Sequence, residues 1–81
     1  MAMTVTLHAT TKIVRLVTPD APEGVPARIW EGTTAHGIAC HAYITRIAVA
    51  RDLDAAEFER ELLEQRAPSA AIAAIPARLV L

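Results

Sequence analysis

Apolar and polar residues alternate over Met3–His8, with Met3, Val5 and Leu7 on one side and Thr4, Thr6 and His8 on the other. A period of two is that of a half-buried strand. His8–Thr11 reads as a short turn. Lys12–Thr18 carries Ile13, Val14, Leu16 and Val17 and reads as a second strand, the hairpin partner of the first. Thr18–Pro26 holds three of the five prolines and one of the three glycines, which predicts a surface loop. Ala27–Thr33 predicts a third strand, with Arg28 and Trp30 on one face and Ile29 and Glu31 on the other. Gly37–Ala50 is the longest stretch without proline, interior glycine or acid. Its β-branched and aromatic residues suit a pleated surface, and its length predicts a central strand with neighbours on both sides. The turn at Thr33–Gly37 is too short for a parallel crossover, so this strand pairs antiparallel with the third.

After Ala50 the period changes. Asp54 is a good N-cap, and Glu57 three residues on completes a capping box. Leu53 and Phe58 have the spacing of a hydrophobic staple. At 3.6 residues per turn Ala55, Phe58 and Leu62 share one face, while Asp54, Glu57, Glu61 and Glu64 fall on the other. Pro68 stops this helix. Ser69 caps a second, very short helical turn that Pro76 ends, and Arg78–Leu81 reads as a terminal strand. The predicted fold is α+β: an antiparallel sheet of four to five strands with one amphipathic helix packed on one face. Residues 1–81 form a single domain of this kind.

Composition changes the picture in two respects. Hydrophobic residues make up 53% of the 81, but many are alanine, which buries little area. So thin a core favours completion by self-association or by a partner, so a homodimer or action within a complex is expected. The net charge of −1 argues against a basic nucleic-acid-binding domain and against an acidic DNA mimic. The single cysteine, Cys40, allows no intrachain disulfide and suits a reducing cytoplasm. No apolar run is long enough to span a membrane, and the first ten residues lack the regions of a signal peptide. The doubled start, Met1-Ala2-Met3, suggests that the natural chain begins at Met3. The expected location is cytoplasmic.

Candidate chemistry is sparse. Cys40 and His41 are adjacent, but neighbours in a strand point to opposite faces and do not converge. Zinc wants about four ligands in spaced pairs, and the chain has no such motif. A buried thiol and a strand histidine are the plainer reading. No catalytic residue, metal site or cofactor is therefore expected. The helix carboxylates suit a solvated face better than acid–base work, which needs a pocket and a shifted pKa. Six of the nine acids lie in Asp52–Glu64, enough to orient a basic partner. Arg15, Arg28 and Arg46 sit between apolar neighbours in predicted strands. On one sheet face they make a cationic band near Trp30 or Tyr43, a composition used for single-stranded nucleic acid and for protein hot spots. The plainer alternative pairs them with Glu31 or Asp20 on a solvated face. The glycines are isolated and precede no helix, so no phosphate loop is present.

Four segments carry a resemblance: PARIWEGTT at Pro26–Thr34, YITRIAV at Tyr43–Val49, EFERELLEQRAPS at Glu57–Ser69 and IPARLVL at Ile75–Leu81. Together they are similar to small uncharacterised proteins of bacteriophages and integrated mobile elements. The resemblance implies a bacterial accessory protein that binds and inhibits a host protein complex, as anti-CRISPR proteins do. The expected function is non-enzymatic protein binding through two patches. One is the sheet face with Arg28, Trp30 and Arg46. The other is the acidic stripe of Asp54, Glu57, Glu61 and Glu64. The alternative is nucleic-acid binding through the arginine-bearing face.

Overall fold

A computed structural model describes residues 2–50 and 55–81. Among them the order is β1 (Val5–Thr18), β2 (Ala21–Thr34), β3 (Ala39–Ile44), α1 (Ala55–Leu62), α2 (Ala70–Ala73) and β4 (Arg78–Val80). The strands form one sheet in the order β3-β2-β1-β4. β1 and β3 run antiparallel to β2, whereas β4 runs parallel to β1. The fold is thus α+β, but the sheet is mixed rather than purely antiparallel. The chain from α1 through α2 lies between β3 and β4 and brings β4 back beside β1 in the same direction.

The first two predicted strands are one. The expected turn at His8–Thr11 is an irregularity inside β1, where Thr10, Thr11 and Lys12 stand against Ile29 alone. Thr10 is fully buried there. Its hydroxyl donates to the Ile29 carbonyl at 2.7 Å and accepts from the Lys12 amide at 3.2 Å, so a side chain replaces the missing ladder bond. The bulge turns backbone outward, and Arg66 occupies it: the Arg66 amide donates to Ala9 O and the Thr11 amide to Arg66 O. Alternating residue types look the same whether a strand ends or bulges, which is why the pattern suggested a turn.

The predicted proline loop is mostly strand. Only Pro19 and Asp20 form the turn, and Pro22 and Pro26 lie within β2. Pro26 stands opposite Arg15, whose amide donates to Ala77 O at 2.7 Å, away from β2. The pair is therefore not hydrogen-bonded, and the Pro26 nitrogen faces the side that β3 does not reach. Gly24, at φ 85°, sits in a second irregularity where three residues of β2 oppose Val17. The Arg15 stem crosses it in the space a Cβ would take.

The long central strand is not found. β3 is six residues at the edge, paired with β2 alone, and residues 45–50 have no regular structure. The core lies on the other face from Trp30, where Val14, Ala27 and Ile29 pack against Ile72 of α2. α2 has only four residues but is held at both ends. Ser69 accepts from the Ile72 amide, the Ser69 amide donates to the Glu31 carboxylate at 2.8 Å, and Lys12 Nζ donates to Ala73 O. The expected packed helix behaves differently. α1 has no buried residue, and Phe58 and Leu62 are half-buried. The predicted cap Asp54 and staple residue Leu53 lie outside the described residues.

Candidate functional site

The register decides which side chains meet. Ala9, Trp30 and Ala42 stand side by side across β1, β2 and β3, and Ile13, Arg28 and Ile44 form the next row. Alternation puts both rows on the same face. Beyond β3 the chain turns over this face, so Arg28, Trp30, Ile44, Arg46, Ile47 and Leu62 line a groove of about 240 Å³. A second hollow of about 390 Å³ adjoins it, lined by Leu7, His8, Trp30, Glu61, Glu64 and Arg66 among others. Trp30 and Leu62 belong to both, so the indole and the last turn of α1 form the ridge between them.

The candidate residues therefore sit as follows. Arg28, Trp30 and Arg46 line one groove, although Arg46 reaches it from irregular chain rather than from a strand. Glu61 and Glu64 line the adjoining hollow, and Glu64 lies past the end of α1. The acidic stripe does not stay on the far side of the helix: two of its members border Trp30. Glu57 is exposed and pairs with Arg60 at 2.6 Å. Asp54 lies outside the described residues. Cations and acids flank one aromatic instead of forming two separate patches.

Among the described residues Arg15, Arg28 and Arg46 form no ion pair with Glu31 or Asp20, the partners that the plainer reading supposed. Arg28 Nη1 donates to Thr10 O at 2.8 Å, and Arg15 Nη1 donates to the Glu23 and Gly24 carbonyls. Both guanidinium groups brace the irregularities of the hairpin. Arg46 is exposed. Cys40 is half-buried rather than buried, on the Trp30 face, and His41 is exposed on the other.

One row was missed by sequence reasoning. His8, Glu31 and His41 stand side by side on the core-side face. No spacing links residues 8, 31 and 41, and only the register reveals it. His41 Nε2 and the Tyr43 hydroxyl share a hydrogen bond at 3.1 Å, with the rings edge to face. The Glu31 carboxylate accepts the Ser69 amide, and the serine's backbone and side chain hold its pKa below the ordinary carboxylate value, with Arg66 and His41 adding to the effect. Glu31 is thereby committed to holding α2. Among the described residues no group of three His, Cys, Asp or Glu side chains converges as metal ligands. Nor is any helix among them long and apolar enough to cross a membrane.

Comparison with protein-family models, curated proteins and solved structures gives no match to this chain.

Proposed function

We propose that this chain is a small non-enzymatic binding protein that seats a protein partner on the Trp30 face. The observation that carries this reading is the half-buried indole standing between two open hollows, with Arg46 on one side and Glu61 and Glu64 on the other. An aromatic anchor with charges around it is the composition of interface hot spots. Charges of both signs fix a partner's orientation more than they add affinity. The likeness of its segments to phage and mobile-element proteins gives the reading its most concrete form, an anti-CRISPR-like inhibitor of a bacterial host complex acting in the cytoplasm.

Nucleic-acid binding through the same face is the second reading. Arg28 and Arg15 favour it less than their sequence suggested, because both guanidinium groups already serve backbone carbonyls. The acids beside Trp30 would also repel phosphates.

The test adds the purified protein to reconstituted CRISPR effector complexes and measures target cleavage, alongside Trp30→Ala and Arg46→Ala variants shown to be folded. Inhibition by the parent and its loss in Trp30→Ala is the expected result. Capture on immobilised single-stranded DNA, steeply weakened between 50 and 200 mM salt as phosphate contacts are, supports the second reading instead. If Trp30→Ala inhibits as well as the parent, the docking surface lies elsewhere.

A further inference from the structure

The sheet has several incompletely paired edges, and they are not alike. The outer side of β2 before Arg28 carries Pro22, Glu23 and Pro26, which resist strand addition. β4 has three residues and begins with Arg78. The free part of β1 is interrupted at Ala9 by Arg66. β3, ACHAYI, has six residues without proline, bulge, aspartate, glutamate, lysine or arginine. It is the edge least protected against pairing with another strand.

The direction of its free groups follows from the ladder. Ala9 O accepts from Arg66 and so faces away from β2, which makes Ala9–Trp30 a non-hydrogen-bonded pair. Trp30 then bonds β3 at Ala42, and alternation turns the amides and carbonyls of Ala39, His41 and Tyr43 outward.

We propose that β3 pairs antiparallel with β3 of a second copy of this chain, with the two-fold axis at Ala42. Two observations select a second copy as the occupant. First, the strand is self-complementary. Centring it on Ala42 sets His41 opposite the Tyr43 of the other chain, and this occurs twice, as two-fold symmetry requires. The backbone groups that face outward at both positions then exchange hydrogen bonds. The side chains that meet are a pair already seen in contact within one chain, with ring centroids 5.3 Å apart and an interplanar angle of 89°. Second, the flanks match. Ile38 and Ile47, 65% and 44% exposed, lie beyond opposite ends of β3, and antiparallel pairing brings the Ile38 end of one copy to the Ile47 end of the other. Neither β3 strand has an aspartate, glutamate, lysine or arginine to oppose this contact. The product is a continuous eight-stranded sheet, and because Ile47 at its seam also lines the Trp30 groove, Trp30→Ala is measured beside the β3 variants to separate this inference from the function proposed for that face.

Sedimentation over a range of concentrations tests it together with cross-linking. The parent is expected to move from the 8.7 kDa species to one of twice that mass as concentration rises. His41→Pro removes an outward amide at a position not hydrogen-bonded to β2. It should weaken dimerisation about tenfold or more while leaving the circular dichroism spectrum unchanged. Ala42→Cys in a Cys40→Ser background places two thiols across the axis at a separation that a disulfide spans. Mild oxidation should give a covalent dimer at concentrations where the parent dissociates, whereas Ala39→Cys in the same background should not. A monomer at every concentration overturns the proposal. So does a dimer in which Ala42→Cys fails to cross-link, and so does one that Trp30→Ala abolishes while folded His41→Pro leaves it intact. If His41→Pro does not fold, the Ala42→Cys and Ala39→Cys comparison decides.

Discussion

The two faces of the sheet are covered by helices of opposite character. On one face a four-residue helix, α2, places Ile72 against Val14, Ala27 and Ile29. On the other an eight-residue amphipathic helix, α1, buries no residue and leaves hollows around Trp30. Amphipathicity gives a helix a face to bury, but burial follows from where the chain is anchored. Arg66 is bound into the β1 bulge, Ser69 to Glu31 and Lys12 to the end of α2. These bonds hold the short helix in place. The Leu62 side of α1 closes only part of the face it overlies.

The sharpest way to break this contrast is a pair of truncations. Ile29 is fully buried, so Ile29→Ala should destabilise the protein by about 2–5 kcal/mol, measured as a shift in denaturant midpoint. Phe58→Ala on α1 should change it by less than about 1 kcal/mol, because the ring is half-buried. Equal losses would mean that the two faces are equally packed.

Gly32→Ala comes next. A Cβ there would collide with the Thr6 carbonyl, which is backbone and does not yield as a side chain does. Overpacking of this kind costs about 1–3 kcal/mol. A neutral result would show that β1 and β2 separate easily at that end of the hairpin.

The Thr10 bulge is tested by Thr10→Val, which keeps the shape and removes the hydroxyl. Loss of its bond to the Ile29 carbonyl in a buried setting should cost about 1–2 kcal/mol. Faster amide exchange at Lys12, whose amide donates to that hydroxyl, should accompany it. Unchanged exchange there would sink the assignment.

The smallest effect concerns pH. The Ser69 amide holds the folded-state pKa of Glu31 below its unfolded value. Its contribution to stability is therefore fully present above the ordinary carboxylate range and is lost as pH falls through the lowered folded value. Glu31→Gln should flatten the acid limb of the stability curve. A limb as steep as the parent's would assign the pH dependence to other carboxylates.

Much of the fold was legible because it rests on local chemistry. The Ser69 cap and the short helix it starts, the existence of an amphipathic helix after residue 54 and the Arg28–Trp30 face follow from residue type and period, but α1 ends at Leu62 rather than at Pro68, because Arg66 is taken into the β1 bulge. Antiparallel pairing of β2 with β3 follows from the length of their connection. What the sequence could not decide was continuity and partnership. Thr10 reads as the middle of a turn until its hydroxyl is seen in the ladder, and Pro22 and Pro26 read as loop until their side of β2 is found unpaired. Gly37–Ala50 has the composition of a central strand, yet only Ala39–Ile44 finds a partner, because β2 offers it no ladder beyond Arg28. The candidate site divides the same way. Residue types named Arg28, Trp30, Arg46, Glu61 and Glu64, but only the sheet register and the path of the chain after β3 set cations and acids around one indole. Hydrophobic period is a property of a segment. Which segments meet is set by backbone hydrogen bonds between residues tens of positions apart, and those leave no mark on the local pattern.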